Sequence, residues 1–290
     1  MDDAFPASWG VAKRMTAVID ELDPSRPAQG PHFPREFAKK LYAYEALLDA
    51  PVPREQDPEP YSLQWFLDIE QKRHTRQGRW IPKVLEFAKH SGEKLLGLGH
   101  GLGTDWAQYA QNGAHVIVCA SSPLQMRLVR RNFEVRNLEG RFVLGQPSRL
   151  PFDTGSIDVA FLSSLTQGIE NPEAVIDEVF RVLKPGGKVL AVTSARYDVD
   201  YWFNSVFFWY RWFFNDVQPA QRPADEDRYS GRQLRRMFAK FIEHRVYKRQ
   251  LRRSEIPHVW RVLPTPLLSR VMGRILVLKA FKPVRGTSDE

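Results

Sequence analysis

The sequence predicts an α/β fold in which helices cover both faces of a doubly wound, mostly parallel sheet. Short apolar runs alternate with helical patterns from about residue 79 to residue 193, which is the spacing of repeated strand–helix–strand units. The run Lys94–Leu98 also leads into a loop with glycine at every second position, and a helical pattern follows. Glycines there permit positive φ and a close approach of a ligand to the backbone. The pattern is typical of a nucleotide-cofactor loop at a helix N-terminus.

The elements are predicted in chain order from periodicity and from helix start and stop signals. Strands are predicted over residues 94–98, 114–120, 141–144, 157–163, 188–193, 241–247 and 275–281. Helices are predicted over residues 35–49, 80–90, 104–111, 122–136, from Asn171-Pro172 to about 183, over 201–214 and from 230 onward. Ser122 with Gln125, and Ser230 with Gln233, have the spacing of capping boxes. Lys184-Pro185-Gly186-Gly187 is predicted to end one helix and turn into the fifth strand.

Both ends of the chain differ in composition from this alternating part. Residues 1–60 are predicted to be an appendage of Pro-rich segments around a single helix. Residues 201–214 contain ten aromatic side chains, and an aromatic helical cap is predicted as an insertion over about 200–230. The main domain is predicted over 61–283, and 284–290 as a flexible tail.

Charge and cysteine content limit the classes of partner and compartment. Residues 201–290 hold 18 Lys and Arg against 8 Asp and Glu, whereas the first 200 hold 24 against 26. The net charge of +8 therefore arises in the C-terminal third, where the sequence favours a solvated cationic face and where any anionic partner would bind. The start of the chain lacks a signal-peptide pattern, no apolar run reaches the length of a membrane span, and Cys119 is the single cysteine. We therefore expect a cytoplasmic protein without disulfides, and no specific nucleic-acid signal is present.

Five segments together resemble a class I S-adenosylmethionine-dependent methyltransferase, in particular the small-molecule "type 11" enzymes related to quinone biosynthesis. They are Leu98-Gly99-His100-Gly101-Leu102-Gly103-Thr104-Asp105, Ser121-Ser122-Pro123, Arg149-Leu150-Pro151-Phe152-Asp153, Ser156-Ile157-Asp158-Val159-Ala160 and Arg181-Val182-Leu183-Lys184-Pro185-Gly186-Gly187. The resemblance implies a seven-stranded Rossmann-like sheet whose last strand, Ile275–Phe281, is antiparallel. It also implies S-adenosylmethionine as cofactor.

The resemblance assigns cofactor contacts to strand ends and to the loops after them. The residues implied are Gly97, Gly99, His100, Gly101, Gly103, Ala120, Ser121, Gln146, Pro147 and Ser163. The family's acidic residues at the ends of the first and second strands are replaced here by Gly97 and Ala120, and its adenine-reading Asp is replaced by Gln146. A charge-assisted hydrogen bond contributes about 1.5–3 kcal/mol, so cofactor binding is expected to be weak or lost.

Three functions remain open from the sequence. The first is methyl transfer to an apolar or aromatic small molecule. The second is a catalytically inactive pseudo-methyltransferase that binds a partner or another ligand. A minor alternative is an NADP-type dinucleotide-binding protein, although Thr104 stands where that fingerprint needs glycine.

Substrate contacts are predicted in the C-terminal third. Trp202, Phe207, Trp209 and Trp212 are candidates for a substrate lid, because relatives place a lid in this segment. The basic residues after the lid predict a peripheral contact with anionic membranes. No residue is identified as a general base, and no metal-ligand spacing is present among the seven histidines.

Overall fold

A computed structural model describes residues 35–47, 58–75, 78–163, 171–205, 228–252, 255–256, 260 and 262–284. The helices in these ranges are α1 Arg35–Glu45, α2 Leu63–Thr75, α3 Ile81–Leu85, α4 Thr104–Gln111, α5 Pro123–Val135, α6 Pro172–Val182, α7 Val199–Ser205, α8 Gly231–Met237 and α9 Thr265–Met272. The strands are β1 Lys94–Leu98, β2 His115–Ala120, β3 Arg141–Leu144, β4 Ile157–Leu162, β5 Leu183–Ser194, β6 Ile242–Arg249 and β7 Ile275–Phe281.

The seven strands form one sheet in the order β3-β2-β1-β4-β5-β7-β6. Strands β1 to β5 pair in parallel, and β7 runs antiparallel to both β5 and β6. The predicted fold class is therefore confirmed, including the antiparallel last strand. Because β1 to β4 are parallel neighbours, their carboxyl ends meet at one edge of the sheet, where ligands of such folds bind.

Two apolar clusters fill the two faces of the sheet, as expected when strands are buried on both sides. One face packs the buried side of α6 and α8 against β4 and β5, with Val179 and Phe238 fully buried. The other face packs α4 and α5 against β1 and β2, around the buried rings of Trp106 and Phe133. The capping box between Ser230 and Gln233 is confirmed at the start of α8.

A third cluster joins the two N-terminal helices to the glycine-rich loop. Leu41 of α1 and Trp65 of α2 pack in it with Leu128 of α5 and with Leu102 of the loop. The sequence analysis placed α1 within residues 35–49 but did not predict α2, which begins three residues after Pro60 and precedes the alternating pattern. The Pro-rich segment before α1 lies outside the described residues, as do Pro51 and Pro53 after it, whereas Pro58 and Pro60 are described just before α2.

The single helix predicted over residues 80–90 is wrong. The chain forms α3 and then a short 3-10 helix, Phe87–Lys89, with Glu86 between them at φ +60°. The Glu86 carboxylate accepts hydrogen bonds from Lys188 at 2.9 Å and from Lys89 at 3.1 Å. Burial opposes ionisation of this carboxyl group, but its lysine partners outweigh burial and lower its pKa to about 2. The turn is therefore anchored on an ion-paired carboxylate beside β5.

The C-terminal part contains one helix that the sequence analysis missed, α9, between β6 and β7. Strand β5 begins at Leu183, directly after α6, so the Lys184–Gly187 turn lies within the strand pairing and shifts its register against β4. The predicted aromatic helix over 201–214 is described only through α7, and its remainder lies outside the described residues. No described helix is long and apolar enough to cross a bilayer.

Candidate functional site at the glycine loop

Three glycines give the loop after β1 its path. Gly99, Gly101 and Gly103 have φ values of +119°, +112° and +73°, a region that other residues adopt only with strain. Gly103 is also the N-cap of α4. The backbone conformation of the loop therefore requires glycine at these positions. The prediction that the loop leads into the N-terminus of a helix is confirmed.

Side chains from two other elements hold the loop by its carbonyl groups. The Gln125 amide of α5 donates to the Gly99 carbonyl at 2.6 Å, and the Asn132 amide donates to the Leu102 carbonyl at 2.8 Å. The Ser163 hydroxyl, just after β4, donates to the His100 carbonyl at 3.0 Å. Because Gln125 and Asn132 are almost fully buried, these bonds fix the loop before any ligand arrives.

The predicted capping box at the start of α5 is only half correct. The Ser122 hydroxyl accepts the Gln125 backbone N–H at 3.4 Å, as expected of an N-cap. The Gln125 side chain, however, does not return to Ser122 and instead bonds the Gly99 carbonyl. The Ser122–Gln125 spacing therefore accompanies a contact between Gln125 and the loop. A rule for local helix capping does not predict this contact.

Two acidic side chains, Glu45 and Asp105, lie where the N-terminal helices pack against the loop and the start of α4. Arg73 of α2 donates both Nε and Nη2 to the Asp105 carboxylate, at 2.9 and 2.7 Å. Burial opposes ionisation of Asp105, but Arg73 and His74 hold its pKa well below the usual range. Glu45 of α1 accepts the Leu102 backbone N–H at 2.9 Å. The N-terminal helices thus bring the Glu45 carboxyl group to the loop and the Arg73 cation to Asp105 of α4.

Gly97 makes room for an aromatic ring. A Cβ atom at this position would lie 2.7 Å from the indole nitrogen of Trp106 and 2.8 Å from its Cε2. The Trp106 side chain is almost fully buried, and its indole N–H has no hydrogen-bond partner within the described part of the chain. An aromatic ring from α4 therefore occupies the space of the acidic side chain that the resemblance places at Gly97.

The other predicted residues lie at the neighbouring strand ends. Ala120 is fully buried at the end of β2, and its carbonyl accepts the N–H of Gly145, the residue after β3, at 3.0 Å. Ser121 and Gln146 follow β2 and β3 with exposed side chains, and Pro147 is half-buried. The sheet order thus brings the glycine loop, Ser121, Gln146 and Ser163 to one edge, where their contact with a cofactor stays a prediction.

Arg181 explains why two of the sequence motifs occur together. Its guanidinium donates to the Leu150 carbonyl at 3.0 Å and to the Phe152 carbonyl at 2.8 Å. Glu178, one turn earlier on α6, accepts the Leu150 N–H at 2.9 Å. The two motifs around residues 149–153 and 181–187 are therefore structural, because they fix the loop before β4 onto α6.

The lid candidates are described only in part. Trp202 of α7 is half-buried and packs with Val199, Leu251 and Met272. Phe207, Trp209 and Trp212 lie outside the described residues.

A buried charge cluster anchors the described part of the cap at the end of β5. Arg274 bonds the Asp200 carboxylate through Nη1 at 2.5 Å and Nη2 at 2.9 Å, and Glu255 through Nε at 2.8 Å. Asp198, fully buried, lies 3.6 Å from the same guanidinium. Since Asp198 and Asp200 are held by Arg274, both serve to attach α7 to the sheet.

Comparison with known proteins matches residues 96–191 to a family described as a methyltransferase domain. This match covers β1 to β5, the glycine loop and its braces. Residues 96–191 are thus similar to a methyltransferase domain, in agreement with the resemblance found in the sequence. This matched segment contains every strand end at which the cofactor contacts were predicted.

Relatives of this methyltransferase domain are moderately similar. A demethylmenaquinone methyltransferase from Clavibacter sepedonicus is 35% identical over 100 residues, 34% of this chain and 40% of that protein. A ubiquinone/menaquinone biosynthesis C-methyltransferase from Cereibacter sphaeroides is 24% identical over 182 residues, 60% of this chain and 71% of that protein. The chain thus matches less than half the length of the first of these relatives.

A solved structure shares the fold over a longer range. A [4+2]-cyclase matches with a TM-score of 0.53 and 17% identity, over 86% of this chain and 95% of that one. Because that protein is a cyclase, the fold alone does not determine the reaction, which depends on the residues of the site.

Several residues at the site fit S-adenosylmethionine. The positive-φ glycines fix the path of the loop at the carboxyl edge of β1, and the side chains of Ser121 and Gln146 present hydroxyl and amide groups at the neighbouring strand ends. The contribution of Glu45 was missed from the sequence, because nothing in the pattern of an isolated N-terminal helix indicates a contact with a loop 57 residues later. No group of three or more potential metal ligands occurs in the described ranges.

Proposed function

We propose that this protein transfers a methyl group from S-adenosylmethionine to an apolar, aromatic small molecule. The observation that carries the proposal is the glycine loop at the carboxyl edge of β1, held by Gln125, Asn132 and Ser163. When bound, S-adenosylmethionine supplies an electrophilic methyl group. The protein's contribution is to hold donor and acceptor in a reactive orientation and to exclude water.

The substrate class is inferred from the relatives and from the cap. Two similar proteins are named for methylation in menaquinone or ubiquinone biosynthesis, so a quinone-type ring is the first acceptor to test. Trp202 and the aromatic residues that follow it in sequence favour an apolar wall over that acceptor. A dinucleotide is disfavoured, because the Leu102 N–H beside the N-terminus of α4 already donates to Glu45, which leaves one donor fewer for a phosphate group.

Calorimetric titration with S-adenosylmethionine tests the cofactor part of the proposal. We expect saturable 1:1 binding by the natural sequence. Gln125→Leu should weaken this binding by about 3- to 10-fold, because the buried Gly99 carbonyl loses its donor and the loop loses its fixed path. The matched control, Gln111→Leu, changes an exposed glutamine at the end of α4 and should leave the affinity unchanged.

Two outcomes of the titration would count against the proposal. Absence of binding by the natural sequence would favour the pseudo-methyltransferase. Binding of NADP in place of S-adenosylmethionine would favour the dinucleotide alternative. Transfer of labelled methyl to a demethylated quinol then tests the acceptor separately.

We also propose that the surface around α9 contacts anionic membranes and gives access to apolar substrates. Exposed apolar side chains cluster there, with Val262 at 85%, Leu267 at 51% and Val271 at 50% exposure. The Lys248 amine lies beside them and donates to the carbonyls of Tyr197 and Val271. The excess of positive charge in residues 201–290 complements anionic headgroups.

Sedimentation with vesicles tests this contact. We expect more protein to sediment with phosphatidylglycerol vesicles than with phosphatidylcholine vesicles, and less at high salt. Leu267→Ser with Val271→Ser should reduce binding severalfold, whereas Leu63→Ser, an exposed leucine on α2, should not. Equal recovery with both lipids would reject the electrostatic part of the contact.

A further inference from the structure

Glu45 brings a buried carboxylate from α1 to the N-terminal end of α4. Its Oε1 accepts the Leu102 backbone N–H at 2.9 Å, and its Oε2 lies 3.3 Å from the Thr104 hydroxyl. The residue is only 6% exposed. The N-terminal end of a helix that follows such a loop commonly binds a ligand anion. Here the carboxyl group of Glu45 occupies that position.

Gly101 shows how closely this carboxylate approaches the loop. A Cβ atom at Gly101 would overlap Oε1 of Glu45. Glycine is therefore required at this position for two independent reasons, its φ of +112° and the adjacent carboxylate. A charge on Glu45 would act on a ligand across one layer of backbone, in a weakly screened environment.

The groups that bond the carboxylate are a backbone amide and a hydroxyl, both uncharged. The nearby cation, Arg73, directs Nε and Nη2 to Asp105, and its Nη1 donates to the backbone carbonyl of Glu45 at 3.1 Å. Arg73 thus pairs with Asp105, and a negative charge on Glu45 leaves the loop with a preference for positive charge.

We propose that Glu45 sets the charge preference of the glycine loop, so that the loop binds a cationic ligand and rejects phosphate. This inference rests on the proposed function, since S-adenosylmethionine carries a sulfonium and an ammonium group. It goes further by assigning the discrimination to one residue outside the matched region 96–191.

A proton on Glu45 couples this preference to pH. Burial raises the pKa of the Glu45 carboxyl group above its ordinary 4.5, and Arg73 and the Leu102 N–H only partly oppose this. A neutral carboxyl group satisfies the same two contacts by accepting from Leu102 and donating to Thr104. Binding of a cation favours the ionised form, so binding releases a proton and cofactor affinity rises with pH.

Glu45→Gln tests the proposal, because glutamine keeps the shape and both hydrogen bonds but cannot ionise. We expect its affinity for S-adenosylmethionine to fall by about 10-fold or more at about pH 7. Titration in buffers of different ionisation enthalpy should show proton release for the natural sequence and none for the variant. Inorganic pyrophosphate should bind the variant better than it binds the natural sequence.

Glu134→Gln is the matched control, since it removes an exposed carboxylate from α5, a helix that also packs on the loop. It should change none of these readouts. Equal affinity of Glu45→Gln and the natural sequence for S-adenosylmethionine would overturn the inference while leaving the proposed function intact. Failure of the natural sequence to bind S-adenosylmethionine would instead reject the proposed function.

A stability measurement tests the charge on Glu45 without any ligand. A raised pKa in the folded state contributes stability below about pH 4.5, and this contribution is lost as the pH rises toward the folded-state value. At neutral pH, Glu45→Gln should therefore be at least as stable as the natural sequence, and its advantage should disappear in acid. A variant that is clearly less stable at neutral pH would mean that Glu45 acts only as a structural cap.

Discussion

Arg274→Met is expected to destabilise the protein by about 3–5 kcal/mol. Arg274 is almost fully buried and bonds Asp200 and Glu255, with Asp198 nearby. Burial opposes its charge, but these carboxylates raise its pKa further above the usual value. Methionine fills a similar volume but removes the cation that bonds Asp200 and Glu255, while Asp198 keeps Arg228 at 3.8 Å.

Urea unfolding at neutral pH measures this loss. Arg270→Met is the matched control, because Arg270 lies on α9 with an exposed side chain, and it should change stability by less than about 0.5 kcal/mol. Equal midpoints of urea unfolding for Arg274→Met and Arg270→Met would show that the Arg274 ion pairs contribute little to the stability of the fold. Asp200→Asn should produce a smaller loss than Arg274→Met, since Arg274 keeps Glu255 as a partner.

Gly97→Asp is expected to destabilise the protein by about 3–5 kcal/mol, although it restores an acidic residue that the methyltransferase pattern contains. The Trp106 indole lies within 2.7 Å of the new Cβ, and the ring is almost fully buried, so it cannot move aside. The carboxylate would also be buried at the end of β1 without a partner cation.

A double-variant comparison separates crowding from charge. Trp106→Ala removes the ring, so Gly97→Asp should cost much less in the Trp106→Ala background than in the natural sequence. Gly231→Asp controls for the substitution itself, because a Cβ at the first residue of α8 makes only ordinary contact at 3.5 Å. Additive losses in the double variant would mean that crowding against Trp106 is not the cause.

Periodicity was sufficient for most of the fold, because strands buried on both faces and helices with one apolar face have strong local signals. The bounds of β1, α4 and β3 match their predictions to the residue. The helix over 80–90 failed because Glu86 gains contacts with Lys188 and Lys279 from distant strands, in addition to the nearby Lys89. Those contacts favour a left-handed residue that local propensity disfavours.

The candidate site was predicted less completely than the fold. The positive φ angles of the loop follow from glycine itself, so the loop was predictable. The braces from Gln125 and Asn132, the carboxylate of Glu45 and the ring of Trp106 depend on which helices pack over the loop. Such contacts join residues between 9 and 57 positions apart, and single-sequence patterns contain no information about them.

Leu102 links the order of synthesis to the order of folding. The apolar faces of α1 and α2 pack against Leu102 and against α5, so their partners follow them in the chain by several tens of residues. At a translation rate of about 5–20 residues per second, these helices wait for seconds beside the ribosome with Leu41 and Trp65 uncovered. A chaperone that holds nascent chains would therefore find the apolar faces of α1 and α2 uncovered until α5 has been synthesised.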